Sequence, residues 1–175
     1  MPCLMPRGLG MCWSRPLMNT VKCNMFSSWR SSSDMCGGRW IVNAEDVKFH
    51  ARDAFTPLSC KLTAEFRCII WVLRCLRDLH VGACEIWSES VAAVSAIHDS
   101  SKWPRFQVYL NQIHHLLTEV HGFCFVVSQP QVNSVARDIA QSITRDGRFR
   151  SYLSIGGPAW LQSWIREERQ GSFGD

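Results

Sequence analysis

The sequence predicts a mixed α/β domain, with a five-stranded sheet whose first three strands are antiparallel and with helices on its faces. Two observations carry this. Over residues 47–52 the apolar pattern has a period of two, and after Pro57 it changes to spacings of three and four. Beyond Gly82, short apolar runs alternate with amphipathic stretches, the pattern of strands joined through helices. The expected order is βββ-α-β-α-α-β-α.

Residues 1–20 are rich in Met, Pro and Gly and show no period, so they are expected to form a poorly ordered tail. Residues 21–26 can extend, and residues 29–38 carry a serine run and a Gly-Gly turn signal. A strand over 39–43 follows. In the next strand Val47, Phe49 and Ala51 alternate with Lys48, His50 and Arg52, and residues 43–46 between the two suit a hairpin turn. Phe66, Ile69, Ile70, Leu73 and Leu76 then recur at helical spacing, predicting a helix over 63–79 capped by Ser59 or Thr63. Gly82 resets the chain into a strand over 83–88, followed at once by a short helix over 90–98. Pro104 suits the first turn of another helix, whose stripe of Phe106, Leu110, Ile113, Leu117 and Val120 marks it as scaffold. Gly122 ends it, and residues 123–127 make the fifth strand. A last helix is expected over 133–144. Past Gly147 come an extended, glycine-containing stretch and a short helix over 160–169. The expected limits are thus 1–20 for the tail, 21–146 for the domain and 147–175 for a C-terminal extension.

Length and composition agree with one domain. The chain has 175 residues, 46% hydrophobic and 19% charged, which allows a sizeable core and excludes a generic disordered chain. The net charge of +4 lies in the first 40 residues, where Arg7, Arg15, Lys22, Arg30 and Arg39 face one acid, Asp34. The remaining residues hold 14 basic and 14 acidic groups, so a strongly basic nucleic-acid binder is excluded. Nine cysteines form no CxxC pair, and Cys68 and Cys75 sit in apolar surroundings. They read as reduced thiols of an intracellular protein, nuclear or cytoplasmic, rather than as a disulfide frame. Prolines and arginines interrupt the N-terminus, so no signal peptide is expected. The longest apolar run, residues 68–73, is stopped by Arg74, far short of the ~20 residues that cross a bilayer.

Several short stretches at the joints of this order carry a resemblance. They are Trp13-Ser-Arg-Pro16, Val21-Lys-Cys-Asn24, Cys36-Gly-Gly38, His50-Ala-Arg-Asp-Ala54, Ala64-Glu65 and Ile86-Trp-Ser-Glu-Ser90. Asn133-Ser-Val-Ala136, Ile139-Ala140, Thr144-Arg-Asp-Gly147 and Gly156-Gly-Pro-Ala-Trp-Leu161 continue the series. In this order and spacing the chain resembles the ribonuclease H-like domain of plant retroelement-derived proteins, over roughly residues 13–161. The resemblance implies a ribonuclease H-like fold and a nucleic-acid partner, an RNA–DNA hybrid or RNA, bound weakly and away from membranes. In that family two magnesium ions held by acidic residues hydrolyse the RNA strand of a hybrid. Carboxylates suit Mg²⁺, a hard cation that prefers oxygen ligands, and two ions ~4 Å apart activate water and stabilise the leaving oxygen.

The chain departs from this pattern at two of the four acids. The family's first aspartate falls on Phe26, and its last falls on Arg137. The helix glutamate is kept as Glu65, and the acid ending the fourth strand corresponds to Glu89. The resemblance therefore implies that Glu65 and Glu89 are the remnant catalytic acids, and the magnesium ligands if Mg²⁺ is still bound; otherwise no cofactor is expected. Asp138 lies about 100° around a helix from Arg137 and does not simply replace the lost acid. The family's assisting histidine would fall near Val127. Three functions stay open at this point: an impaired hybrid-binding domain, an active Mg²⁺-dependent ribonuclease that recruits Asp138 or Asp34, and a protein-interaction module that kept only the fold.

Other features carry ordinary readings beside the functional ones. Glu65 shares a stripe with Ile69, Val72 and Leu76, unexpected for a carboxylate, although the helix dipole also favours an acid there. Glu89 could equally charge the start of the next helix. Arg137, Arg145, Arg148 and Arg150 are candidate nucleic-acid contacts, the last three beside Phe149 and Tyr152, with a solvated helix end as the alternative. His114 and His115 diverge by about 100° on a helix and make a poor chelate. Trp71 and Trp87 read as core, and Trp29 and Trp40 as exposed.

Overall fold

In the computed structural model the described residues are 21–28, 36–44, 46–56, 58–120, 122–129 and 152–155. Six strands form one sheet in the order β5-β4-β1-β2-β3-β6. They are β1 (Val21–Ser28), β2 (Cys36–Ala44), β3 (Asp46–Phe55), β4 (Cys84–Ser88), β5 (Phe123–Val127) and β6 (Tyr152–Ile155). The first three and β6 pair antiparallel, while β1, β4 and β5 pair parallel. Parallel neighbours need a crossover. The crossover from β3 to β4 contains α1 (Lys61–Asp78), and that from β4 to β5 contains α2 (Val91–His98) and α3 (Gln107–Glu119).

The expected order of elements holds wherever residues are described, with two corrections. The sheet has six strands and not five, because Tyr152–Ile155 pairs with the outer edge of β3. That covers an edge strand's otherwise open hydrogen-bonding groups. The second correction concerns Gly37 and Gly38, read as a turn signal but found inside β2, paired with Ser28 and Ser27. Their absent side chains serve packing. A Cβ on Gly38 would lie 2.7 Å from Cε2 of Phe55 and 3.1 Å from Sγ of Cys68. The tail at 1–20 and the helices expected over 133–144 and 160–169 lie outside the described residues, as do Trp29, Asp34, Arg137, Asp138, Arg145, Arg148 and Arg150.

The core lies between the sheet and α1. Ala64, Phe66, Cys68, Ile69, Ile70, Val72, Leu73 and Leu76 of α1 are buried, as are Cys23 and Met25 of β1, Ile86 of β4 and Phe125 of β5. Each fully buried large apolar side chain contributes about 1.5–3 kcal/mol. Leu110, Ile113 and Leu116 bury α3 against α1, so the helix is scaffold, with its stripe turned slightly from the expected Leu117. Cys23, Cys60, Cys68, Cys75, Cys84 and Cys124 are free thiols, and burial beside Cys84 pushes the Cys23 thiol well up.

Local signals set the helix ends. Neither Ser59 nor Thr63 caps the backbone of α1; the N-cap is Cys60, whose Sγ lies 3.1 Å from Thr63 Oγ1. At the other end His80 is left-handed, with φ 53°. The His80 and Val81 amides donate to the carbonyls of Arg77 and Leu76, each at 2.9 Å. This is a Schellman ending with histidine where glycine is usual.

Candidate functional site

The carboxyl ends of parallel strands are where open α/β sheets place ligand sites. Here β1 and β4 run side by side, paired as far as Asn24 and Trp87, with β1 continuing to Ser28, β4 ending at Ser88 and α1 packed on β1. Alternation along β1 buries Cys23, Met25 and Ser27. Alternation along β4 buries Cys84, Ile86 and Ser88, leaving Glu89 just past the strand. Glu65 stands on the buried stripe of α1 among Phe66, Ile69 and Val72, which carries its carboxyl under the helix and over the strand ends.

Glu65 is 5% exposed, and this decides its chemistry. Burial in an apolar wall raises its pKa from 4.5 to about 7, opposed by the Ser27 hydroxyl and by Lys61 and reinforced by the neighbouring charge of Glu89. Ser27 lies close enough to favour the Glu65 carboxylate, yet its buried Oγ has no partner at hydrogen-bond distance among the described residues. Ser128, just past β5, repeats the pattern. Its amide donates to the Ser88 carbonyl at 2.8 Å, while its own Oγ is buried without a partner among the described residues. Ser88 Oγ in turn accepts from the Ser90 amide at 3.1 Å. The buried Glu65 carboxyl thus has the Ser27 hydroxyl and the Glu89 carboxyl as neighbours, while Ser128 and Ser88 are fixed at the ends of β5 and β4.

The two glutamates singled out in the sequence are thus brought together. Glu89 is not the cap of α2; that role belongs to Ser90, whose Oγ accepts from the Ala93 amide at 3.3 Å. Phe26 is placed by its backbone opposite Arg39 in the β1–β2 register. The β1 side chain that meets Glu65 is Ser27, which sequence reasoning passed over. His114 and His115 go to different places, His114 Nε2 lying 2.9 Å from the Ile97 carbonyl and His115 Nε2 3.5 Å from Glu119. Trp71 and Trp87 are half-buried rather than core, and Trp87 Nε1 donates to Glu85 at 3.2 Å.

Two magnesium ions need several carboxylates around them to offset their charge and mutual repulsion. Among the described residues no group of three or more His, Cys, Asp or Glu side chains is arranged to hold a metal ion. The donors present at the strand ends are two glutamates, one of them half-protonated near neutral pH, and neutral hydroxyls. Among the described residues that set does not fit a pair of divalent cations; what it offers is hydrogen bonding around one buried carboxyl.

Residues 24–143 match the reverse transcriptase-like family. A stretch of 98 residues is 41% identical to a protein phosphatase 2C-like protein 45 of Arabidopsis thaliana, and the match covers 56% of this chain and 38% of that protein. The chain thus spans well under half the length of this relative. Among solved structures, RNase H1 from Halobacterium salinarum superimposes with a TM-score of 0.63 at 16% identity, covering 73% of this chain and 98% of that one. LC11-RNase H1 in complex with an RNA/DNA hybrid does so with a TM-score of 0.65 at 15% identity, covering 73% and 99%. At such identities the likeness establishes the ribonuclease H-like fold. Among the described residues no helix is long and apolar enough to cross a membrane.

Proposed function

This chain belongs to the reverse transcriptase-like family, and from that premise we propose that it is a ribonuclease H-like domain that binds nucleic acid without two-metal hydrolysis. The ligand is an RNA–DNA hybrid or RNA. The observation that carries this reading is the make-up of the strand-end site. Glu65 and Glu89 remain, but the β1 side chain facing Glu65 is the neutral Ser27. Arginine at position 137, where the resemblance expects an acid, supports it from the sequence. An arginine stays charged, repels a divalent cation and attracts phosphate. On this reading Arg145, Arg148 and Arg150 add phosphate contacts, and no cofactor is required.

Hybrid binding by LC11-RNase H1, a protein of the same fold, supports the choice of ligand. Descent from a retroelement domain is part of this reading, and the 41%-identical Arabidopsis relative bears on its plant side alone. A nuclear or cytoplasmic setting belongs to the same proposal.

The test uses the purified chain, a labelled RNA–DNA hybrid and added Mg²⁺. Binding is expected, and it should weaken steeply with added salt. Cleavage should not exceed that of Glu65→Gln. Mg²⁺-dependent cleavage abolished by Glu65→Gln would overturn the reading in favour of an active ribonuclease. Failure to bind the hybrid even at low salt would replace it with a protein-interaction module.

A further inference from the structure

The solvent side of α1 carries chemistry that the strand-end site does not use. Arg67, Trp71 and Arg74 follow one another at spacings of four and three residues and so share one stripe of the helix. Both arginines are exposed and the indole is half-buried. Phe55 of β3 packs edge-on to that indole, ring centroids 5.9 Å apart and planes at 76°, which fixes its orientation. The helix has one acid before Asp78, namely Glu65, and it is buried. Nine residues separate Glu65 from Arg74, about half a turn around the axis, so the stripe and the strand-end site face opposite ways.

Arg77 shows what a neutralised arginine looks like in the same helix, 2.8 Å from Glu119 and 3.0 Å from Asp78. Among the described residues Arg67 and Arg74 have no such ion pair. The stripe therefore presents two uncompensated guanidinium groups with a positioned aromatic ring between them.

We propose that the Arg67–Trp71–Arg74 stripe docks single-stranded nucleic acid, as a second surface independent of the strand-end site. Seven residues of helix place the two arginines about 10 Å apart along the axis. That length corresponds to about three nucleotides at 3.4 Å per nucleotide of stacked strand. Guanidinium groups match phosphate oxygens, and a base stacks on the indole without regard to its identity. An acidic protein segment would use the arginines and leave the indole idle. An anionic bilayer would call for exposed apolar residues along the stripe, and Arg67 and Arg74 occupy those places.

The experiment measures binding of a labelled single-stranded 12-mer to the full chain by fluorescence anisotropy at low salt. Arg67→Glu and Arg74→Glu are each expected to weaken it about tenfold. The slope of log affinity against log salt should fall by about 1.4 when both are changed. Lys102→Glu, an equal charge change at a residue paired with Asp99 at 2.8 Å, should lose far less. Trp71→Phe should weaken binding and remove the ligand-induced quenching of tryptophan emission. The doubly substituted Arg67→Glu, Arg74→Glu chain should keep its affinity for an RNA–DNA hybrid, which separates this surface from the strand-end site. A cooperative urea transition in each variant confirms that it is folded. Undiminished binding by both arginine variants overturns the proposal, as does an equal loss in Lys102→Glu. Polyglutamate or anionic vesicles bound as tightly as the 12-mer, with the same arginine dependence, overturn the assignment to nucleic acid.

Discussion

Glutamine in place of Glu65 keeps the shape of a buried carboxyl and removes its ability to ionise. In the folded chain Glu65 titrates near 7 against an ordinary 4.5, chiefly because the apolar wall around it disfavours the charge. Between those two values the folded state holds a proton that the unfolded state has released. Stability therefore falls as pH rises through this window; the penalty is absent below 4.5 and complete above about 7. At 1.36 kcal/mol per pH unit the full penalty is about 3 kcal/mol, and the near-complete burial of Glu65 means that solvent screening does not reduce it. Glu65→Gln should accordingly be more stable than the parent chain by about 3 kcal/mol at pH 8 and nearly equal to it at pH 4. Urea unfolding at pH 4, 5.5 and 8, under reductant to protect the cysteines, measures this directly. Glu119, held low by Arg77, and Asp99, held low by Lys102, titrate alike in both proteins and cancel in the difference. A glutamine variant no more stable than the parent at pH 8, or a difference that does not change with pH, would refute the account of Glu65.

Two further substitutions test the packing that positions the site. Gly38→Ala drives a methyl group to 2.7 Å from the Phe55 ring and should cost about 1–3 kcal/mol, read as a lowered urea midpoint. His80→Gly relieves a left-handed residue at the end of α1 and should raise stability by up to about 1 kcal/mol, visible as a higher melting temperature.

Much of this was legible in the sequence because it rests on period. Ile69, Ile70, Leu73 and Leu76 announce α1 by spacing alone, and Glu65 stands out as an acid on their stripe. The phase of β1 was not legible. In Val21-Lys-Cys-Asn-Met-Phe-Ser-Ser28 both alternations mix apolar and polar residues, so either set could face the helix. Close packing decides it. Ser27 pairs across the sheet with Gly38, and the space above Gly38 is filled by Phe55 and Cys68, so only small side chains fit beneath α1 there. The same crowding explains why a Gly-Gly pair that reads as a turn is strand. β6, four residues long, owes its place to an edge of β3 that no local pattern reveals.

The loss of acids and the binding of nucleic acid belong to one electrostatic argument. A cluster of ionised carboxylates repels a phosphodiester strand until cations neutralise it, so a two-metal site makes binding depend on its metals. Here the neutral Ser27 hydroxyl stands beside a Glu65 that burial keeps half-protonated near pH 7. Much of the repulsion is then gone without a cation, and a phosphate can accept hydrogen bonds from the same groups. On the proposed reading, losing the charge that would hold magnesium removes the chemistry while lowering the barrier to the ligand. Hybrid affinity should therefore be nearly the same with Mg²⁺ or with a chelator at equal ionic strength. A strict requirement for Mg²⁺ would mean that the missing carboxylates are supplied from elsewhere in the chain.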